Sequence, residues 1–190
     1  MRKHRLKTRI PPVIVSVGIL FAAAFLMPAL SRYAQAENTQ NQAGDYLNSY
    51  LNTVNVIQNQ ANKYLGAITE GVRAATSQQN SAMRNAILLD AKKILSAVVE
   101  QLSSMQPPDE LRIYHTKIID MFIYRNLSNN ALLDNDISAA KRFYNQSSLA
   151  HIQALSELKR VFESFSAPPD VIRSLESRIA QENRILSEMR

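Results

Sequence analysis

The sequence predicts an all-α protein, an antiparallel up-down bundle of four to five helices that follows an N-terminal signal peptide or signal anchor. Three observations favour this fold class. Apolar residues recur at spacings of three and four over most of the chain after residue 44. Gly and Pro are sparse, with 4 and 7 copies in 190 residues, so few turns are encoded. No stretch combines strict apolar–polar alternation with the β-branched residues typical of strands.

The bundle domain is expected to span residues 45–190, and its first helix about 45–75. The stripe of this helix has spacings of four and three, with one polar member: Leu47, Leu51, Val54, Gln58, Ala61, Leu65, Ile68 and Val72. Tyr50, Ile57 and Tyr64 widen the stripe by one position. The opposite side is rich in Asn, a mediocre helix former, so packing has to stabilise this helix.

Turn signals divide the remainder into four further helices, at about 81–105, from 108 until the pattern fades through 126–130, at 136–165 and at 170–189. Asn80 or Ser81 can cap the second helix, and the acidic stretch 134–136 can cap the fourth. Pro107-Pro108 and Pro168-Pro169 each end one helix and begin the next. Short connections of this kind favour antiparallel neighbours.

The apolar spacing of the later helices also predicts core positions. Ile87 is expected in the core face of the second helix, and Ile137 and Phe165 at the two ends of the fourth. The middle of the fifth helix is more charged, with Arg178 and Glu182 among its residues. This helix is therefore expected to be the most exposed of the five.

Residues 1–36 have the three parts of a secretory signal peptide. A basic start precedes an apolar run over residues 13–30, and Ala34 and Ala36 supply small residues at positions −3 and −1 of a cleavage point before Glu37. The competing interpretation is an uncleaved anchor, since about 18 apolar residues approach the ~20 needed to span a bilayer. Both interpretations place the bundle outside the cytoplasm, in the periplasm or the extracellular space, and residues 37–44 form a flexible leader.

The signal segment also explains the net charge of +6. Six of the 22 Lys and Arg residues lie within residues 1–36, and the other 16 lie after it together with all 16 Asp and Glu residues. The remainder of the chain therefore has a formal charge of zero. A neutral domain has no bulk attraction for phosphate backbones, so no nucleic-acid partner is expected.

The chain has no cysteine. A lipid-modified N-terminal Cys, covalent haem attachment, Cys-ligated zinc and disulfides are therefore excluded. There is also no Gly-flanked nucleophile, no HExxH motif and no Gly-rich phosphate loop in the sequence. No enzyme activity and no cofactor are expected.

His115 and His151 are the two histidines after the signal segment. Neither has an acidic residue three or four positions away, which the His and Glu ligand pairs of bundle metal sites usually have. The simplest interpretation is that each is a boundary residue with one hydrogen bond. If the third and fourth helices are antiparallel neighbours, however, the two imidazoles could meet as weak candidates for metal ligands.

The leading hypothesis is therefore an exported, non-enzymatic helical module that acts as an adaptor, accessory subunit or structural protein. Its partner would be another protein or a second copy of the chain, with membrane contact only through residues 1–36 if they stay uncleaved. Tyr46, Tyr50 and Tyr64 lie on one side of the first helix, as either a recognition surface or the edge of the buried stripe. The alternative is a small-ligand or metal-binding bundle that uses His115 and His151.

Overall fold

The computed structural model describes the backbone of residues 41–188 and the side chains of residues 45–188. This part of the chain forms five α-helices and no strand: α1 (Asn41–Ser77), α2 (Ser81–Ser103), α3 (Arg112–Leu133), α4 (Ile137–Ser164) and α5 (Pro169–Glu188). A 3-10 turn at Asp109–Leu111 precedes α3. The all-α prediction is confirmed for these residues. The predicted signal segment 1–36, with its cleavage point, lies outside them.

Two helix boundaries differ from the sequence prediction. α1 begins at Asn41 instead of Asp45, so it includes the last four residues of the stretch expected as a flexible leader. α3 does not fade through residues 126–130 but continues to Leu133, because Ser128 and Ala131 on its inner face are buried. Among residues 41–188, none of the helices has the length and apolar character needed to cross a membrane.

Three of the helices end in the same way. Gln79, Asn135 and Ser166 follow α1, α3 and α4 with φ angles of 57°, 58° and 55°. After α1, the amide of Asn80 donates to the carbonyl of Ala75 at 2.8 Å, the long hydrogen bond of a Schellman motif. The equivalent bonds follow α3 and α4, and they reverse the chain tightly enough for the next helix to pack antiparallel to the one before it.

Contacts between helices show this antiparallel order. Moving along α3 from Met121 to Ser128, the partners on α4 run backwards, from Ser147 to Ala140. Ser147 Oγ donates to the carbonyl of Met121 at 2.8 Å, and Ser128 Oγ donates to the carbonyl of Ala140 at 2.9 Å. These small residues let α3 and α4 approach closely. Each of the other consecutive helix pairs packs together as well.

A single hydrophobic core contains residues from all five helices. Its largest fully buried side chains are Phe122, Leu95, Leu102, Leu111, Ile118 and Leu175. Two expected core positions were wrong: Ile137 and Phe165 are exposed, because they lie at the two ends of α4. Ile87 is partly buried, and its neighbour Leu88 is fully buried.

Candidate functional site

A buried polar pair joins α1 to α3. The hydroxyl of Tyr50 is hydrogen-bonded to Nδ1 of His115, and the two rings lie edge to face with their centroids 5.9 Å apart. Both side chains are buried. α3 places His115 on its inner face beside Tyr114, and α1 places Tyr50 in its core stripe. The pair therefore links two helices that are separated by α2 in the sequence.

The ionisation of both groups fixes the direction of this hydrogen bond. Burial lowers the pKa of His115, so its imidazole is neutral at neutral pH. Burial first, and then the nearby Tyr114 and Tyr46, raises the pKa of Tyr50. Tyr50 therefore keeps its proton and donates it to Nδ1, and the proton of the imidazole lies on Nε2.

A second polar group lies between α3, α4 and α5. Nδ1 of His151 on α4 lies 3.6 Å from Oε1 of Glu182 on α5, a distance too long for a hydrogen bond. Nη2 of Arg178, one turn before Glu182 on α5, lies 3.0 Å from the same oxygen. Arg125 on α3 stacks its guanidinium over the ring of Tyr144, 4.5 Å from the ring centroid. We call Arg125, His151, Arg178 and Glu182 the ionic cluster.

The ionic cluster is unusually well buried for charged side chains. Arg125 is 7% exposed and Glu182 6%, while His151 is also buried and Arg178 is nearly so. Oε1 of Glu182, Nε of Arg178 and Nε of Arg125 are buried atoms without a hydrogen-bond partner. The contacts of Glu182 are thus ion pairs without hydrogen-bond geometry, and the cluster is incompletely satisfied.

The charges of the cluster determine the ionisation of Glu182. Burial on its own raises the pKa of this carboxyl group. The polar contact with His151 and the positive charges of His151, Arg178 and Arg125 outweigh burial, and the net result is a lowered pKa. Glu182 is therefore ionised at neutral pH.

The two candidate metal ligands have different partners. α3 and α4 are antiparallel neighbours, as the hypothesis required, but His115 binds Tyr50 of α1 and His151 faces Glu182 of α5. Among the described residues, no three His, Asp or Glu side chains converge in the way that could hold a metal ion. A metal site on the histidines remains a prediction, and Arg178 beside Glu182 is unfavourable for a cation there.

The three tyrosines of α1 divide into two groups. Tyr50 is buried, whereas Tyr46 and Tyr64 are 53% and 57% exposed. The buried-stripe interpretation is thus confirmed for Tyr50 and is wrong for Tyr46 and Tyr64, for which a recognition surface stays a prediction. The hydroxyl of Tyr46 donates to the carbonyl of Gln106 at 3.0 Å and attaches the start of α1 to the loop after α2.

Sequence reasoning missed the ionic cluster because it took the charged middle of α5 as a solvated face. That prediction was wrong for Glu182, which is buried. A signal was present, however. The buried positions of α5 are Val171, Leu175, Glu182 and Leu186, so Glu182 occupies a place in the apolar stripe. A charged residue in an apolar stripe is a candidate for a buried ion pair.

Comparison of the chain with protein-family models, with curated proteins and with solved structures found no match.

Proposed function

We propose that this chain is an exported, non-enzymatic helical module that binds a protein partner, and that α1 provides the binding surface. The observation that carries the proposal is the exposure of large side chains along α1. Tyr46, Val56 and Tyr64 are each more than half exposed, although they belong to a helix whose other apolar residues are mostly buried. A partner that covers α1 would remove these side chains from water.

The two exposed tyrosines lie on the same side of α1. They are 18 residues apart, which is five turns of an α-helix and about 27 Å. Between them the same side carries Tyr50 and Ile57, which are buried in the core. The two tyrosines are therefore separate exposed points along one edge of α1, spaced so that one long helix or strand of a partner reaches both. Tyrosine is enriched at such interfaces, because its ring is apolar and its hydroxyl group can bond to polar groups.

The outer side of α1 complements this edge with amide groups. Asn52 and Asn59 are exposed, and the amide of Asn59 donates to Asn55 at 3.3 Å. Amide side chains both donate and accept hydrogen bonds. An aromatic edge with an amide-rich flank and no charged run favours a protein surface over a nucleic acid or an anionic membrane.

The exported location rests on the pattern of residues 1–36, and the non-enzymatic character on the absence of catalytic motifs from the sequence. Mass spectrometry of the protein from its native cell tests the first point. Glu37 as the first residue supports cleavage, whereas an intact Met1 supports the membrane anchor.

Site-specific photocrosslinking in the native cell tests the surface. A photoreactive phenylalanine analogue replaces Tyr64 or, as a control, the exposed Arg173 on α5. We expect a discrete adduct with one other protein from position 64 and none from position 173. The substitution Tyr64→Ser should then reduce capture from a probe at Tyr46 without changing the unfolding midpoint.

Three results would count against α1 as a surface for another protein. The first is equal adducts from positions 64 and 173, and the second is no adduct from position 64. The third is an adduct that consists only of two copies of this chain, which would make α1 a homo-oligomer interface instead.

A further inference from the structure

We propose that the ionic cluster is a binding site for a small oxyanion, a carboxylate or a phosphate, with Arg125 as its principal ligand. Three helices build the site: α3 contributes Arg125, α4 contributes His151 with the ring of Tyr144, and α5 contributes Arg178 and Glu182. The site is separate from the exposed edge of α1 and does not depend on the proposed partner.

The first step of the argument is the balance of charge. The cluster has two guanidinium groups and a single carboxylate: Arg178 lies 3.0 Å from Glu182, whereas Arg125 forms no ion pair with it within 4.0 Å and acts on it only through its charge. The two arginines and the one carboxylate therefore have a net charge of +1. One more negative charge would neutralise the two arginines with the carboxylate in place.

The second step is the state of Arg125. Among residues 45–188 it has no ion-pair partner within 4.0 Å, and its Nε is a buried donor without an acceptor. The residue is nevertheless buried, with only 7% of its surface exposed. An unpaired charge at such a position is unfavourable, because little water reaches it. Stacking on the ring of Tyr144 offsets only part of this cost.

The third step is the chemistry of the ligand. A guanidinium group is planar and offers parallel N–H donors, which match the two oxygens of a carboxylate or phosphate. Burial of the cluster requires a small ligand, because a large one would have to displace α5 from α4. Oε1 of Glu182 would repel the anion, so the ligand has to lie on the Arg125 side of the cluster.

Titration with inorganic phosphate, and separately with acetate, tests the proposal at constant ionic strength with chloride as the reference ion. The titrated protein is the one purified from its native cell, with residues 1–36 present or cleaved as they are there. We expect phosphate, acetate or both to raise the unfolding midpoint relative to chloride, and the stronger of the two identifies the ligand class. The Nε–H signal of Arg125 in a ¹H–¹⁵N spectrum should move with the same saturation curve.

Arg125→Gln should weaken anion binding at least about tenfold, the loss of one charge-assisted contact. Arg142→Gln is the matched control, since Arg142 also stacks on an aromatic ring, that of Phe143, but is exposed. It should leave binding unchanged. Arg125→Lys retains the charge without the planar fork and should give an intermediate affinity.

The spectrum of the unsubstituted protein keeps the test decisive even if Arg125→Gln does not fold. Saturable movement of the Arg125 signal supports the site. A signal that stays fixed up to molar phosphate and acetate, or equal anion effects in the Arg125→Gln and Arg142→Gln proteins, would overturn it.

Discussion

Nδ1 of His115 accepts a hydrogen bond from the hydroxyl group of Tyr50, a residue 65 positions earlier in the chain. This contact fixes the rotation of α1 relative to α3, because only one side of each helix can bring the two polar atoms together inside an apolar core. It also gives the buried hydroxyl group of Tyr50 and the buried Nδ1 of His115 a hydrogen-bond partner, without which their burial would be unfavourable.

Tyr50→Phe should therefore destabilise the protein by about 1–3 kcal/mol, the cost of leaving a buried acceptor without its donor. The ring of the phenylalanine fills the same space, so the loss reports the hydrogen bond and not a cavity. Tyr64→Phe is the control, since Tyr64 is exposed and should change the free energy of unfolding by less than about 0.5 kcal/mol. Urea denaturation at pH 7.5 measures both. Equal effects of the two substitutions would contradict the importance of the pair.

The same pair predicts a dependence of stability on pH. Burial lowers the pKa of His115 below its ordinary value of 6.5 in the folded protein. As the pH falls below about 6.5, the unfolded chain takes up a proton that the folded chain does not, so stability decreases. The loss continues until the pH reaches the lowered pKa of the folded state.

Comparison with His115→Gln isolates this effect from the other titrating groups. Between pH 7.5 and 5.5 the free energy of unfolding should decrease less in the variant than in the parent protein, because the variant lacks the imidazole. A pH dependence that is identical in the two proteins would show that His115 does not titrate in this way.

The helices themselves could be predicted from the sequence, because they depend on local information. The spacing of apolar residues and the capping side chains of Asn80 and Asp136 define α2 and α4 within one or two residues. The core of α4 was harder to predict. Ser147 is completely buried, since its hydroxyl group bonds to the carbonyl of Met121 on another helix.

The candidate site depends on contacts between distant helices, which the spacing within one helix does not contain. His115 was expected to be a boundary residue with one hydrogen bond, but its partner Tyr50 belongs to another helix and could not be predicted. Arg125 on α3 and Glu182 on α5 lie 57 positions apart in the numbering of the chain. No local pattern relates their charges, and only the packing of α3, α4 and α5 brings them near each other.

Gly66 and Gly71, in the second half of α1, give a matched test of packing between α1 and α2. A Cβ at Gly66 would meet no atom within 4 Å, whereas one at Gly71 would lie 3.1 Å from Cδ1 of Ile87. Replacing a helix-interior glycine with alanine stabilises by about 0.5–1 kcal/mol when space permits. Gly66→Ala should gain this amount. Gly71→Ala should gain less, because Ile87 has to shift by a few tenths of an ångström.

Thermal and urea unfolding of the two glycine variants provide the measurement. If Gly71→Ala proves as stabilising as Gly66→Ala, the side chain of Ile87 yields without cost, and α1 and α2 are packed more loosely at this point than the structure indicates.

Glu182→Gln should destabilise the protein by about 3 kcal/mol or more, because it leaves the nearly buried Arg178 without its negative partner and also removes the negative charge that acts on Arg125 from a longer distance. Glutamine has nearly the same shape, so packing between α4 and α5 is retained. Glu188→Gln is the control: Glu188 lies 3.6 Å from Arg184, and both side chains are mostly exposed. That substitution should change stability by less than about 0.5 kcal/mol.

Acid gives an independent measure of the same carboxyl group. The pKa of Glu182 is lowered from 4.5 in the folded state, so its contribution to stability is complete above that pH. It is lost as the pH falls from about 4.5 through the lowered pKa, because the unfolded chain binds the proton first. Between pH 5 and 3 the Glu188→Gln protein should lose stability as steeply as the parent, whereas the Glu182→Gln protein should lose less. A parallel loss in all three proteins would mean that Glu182 does not couple its ionisation to the packing of α5.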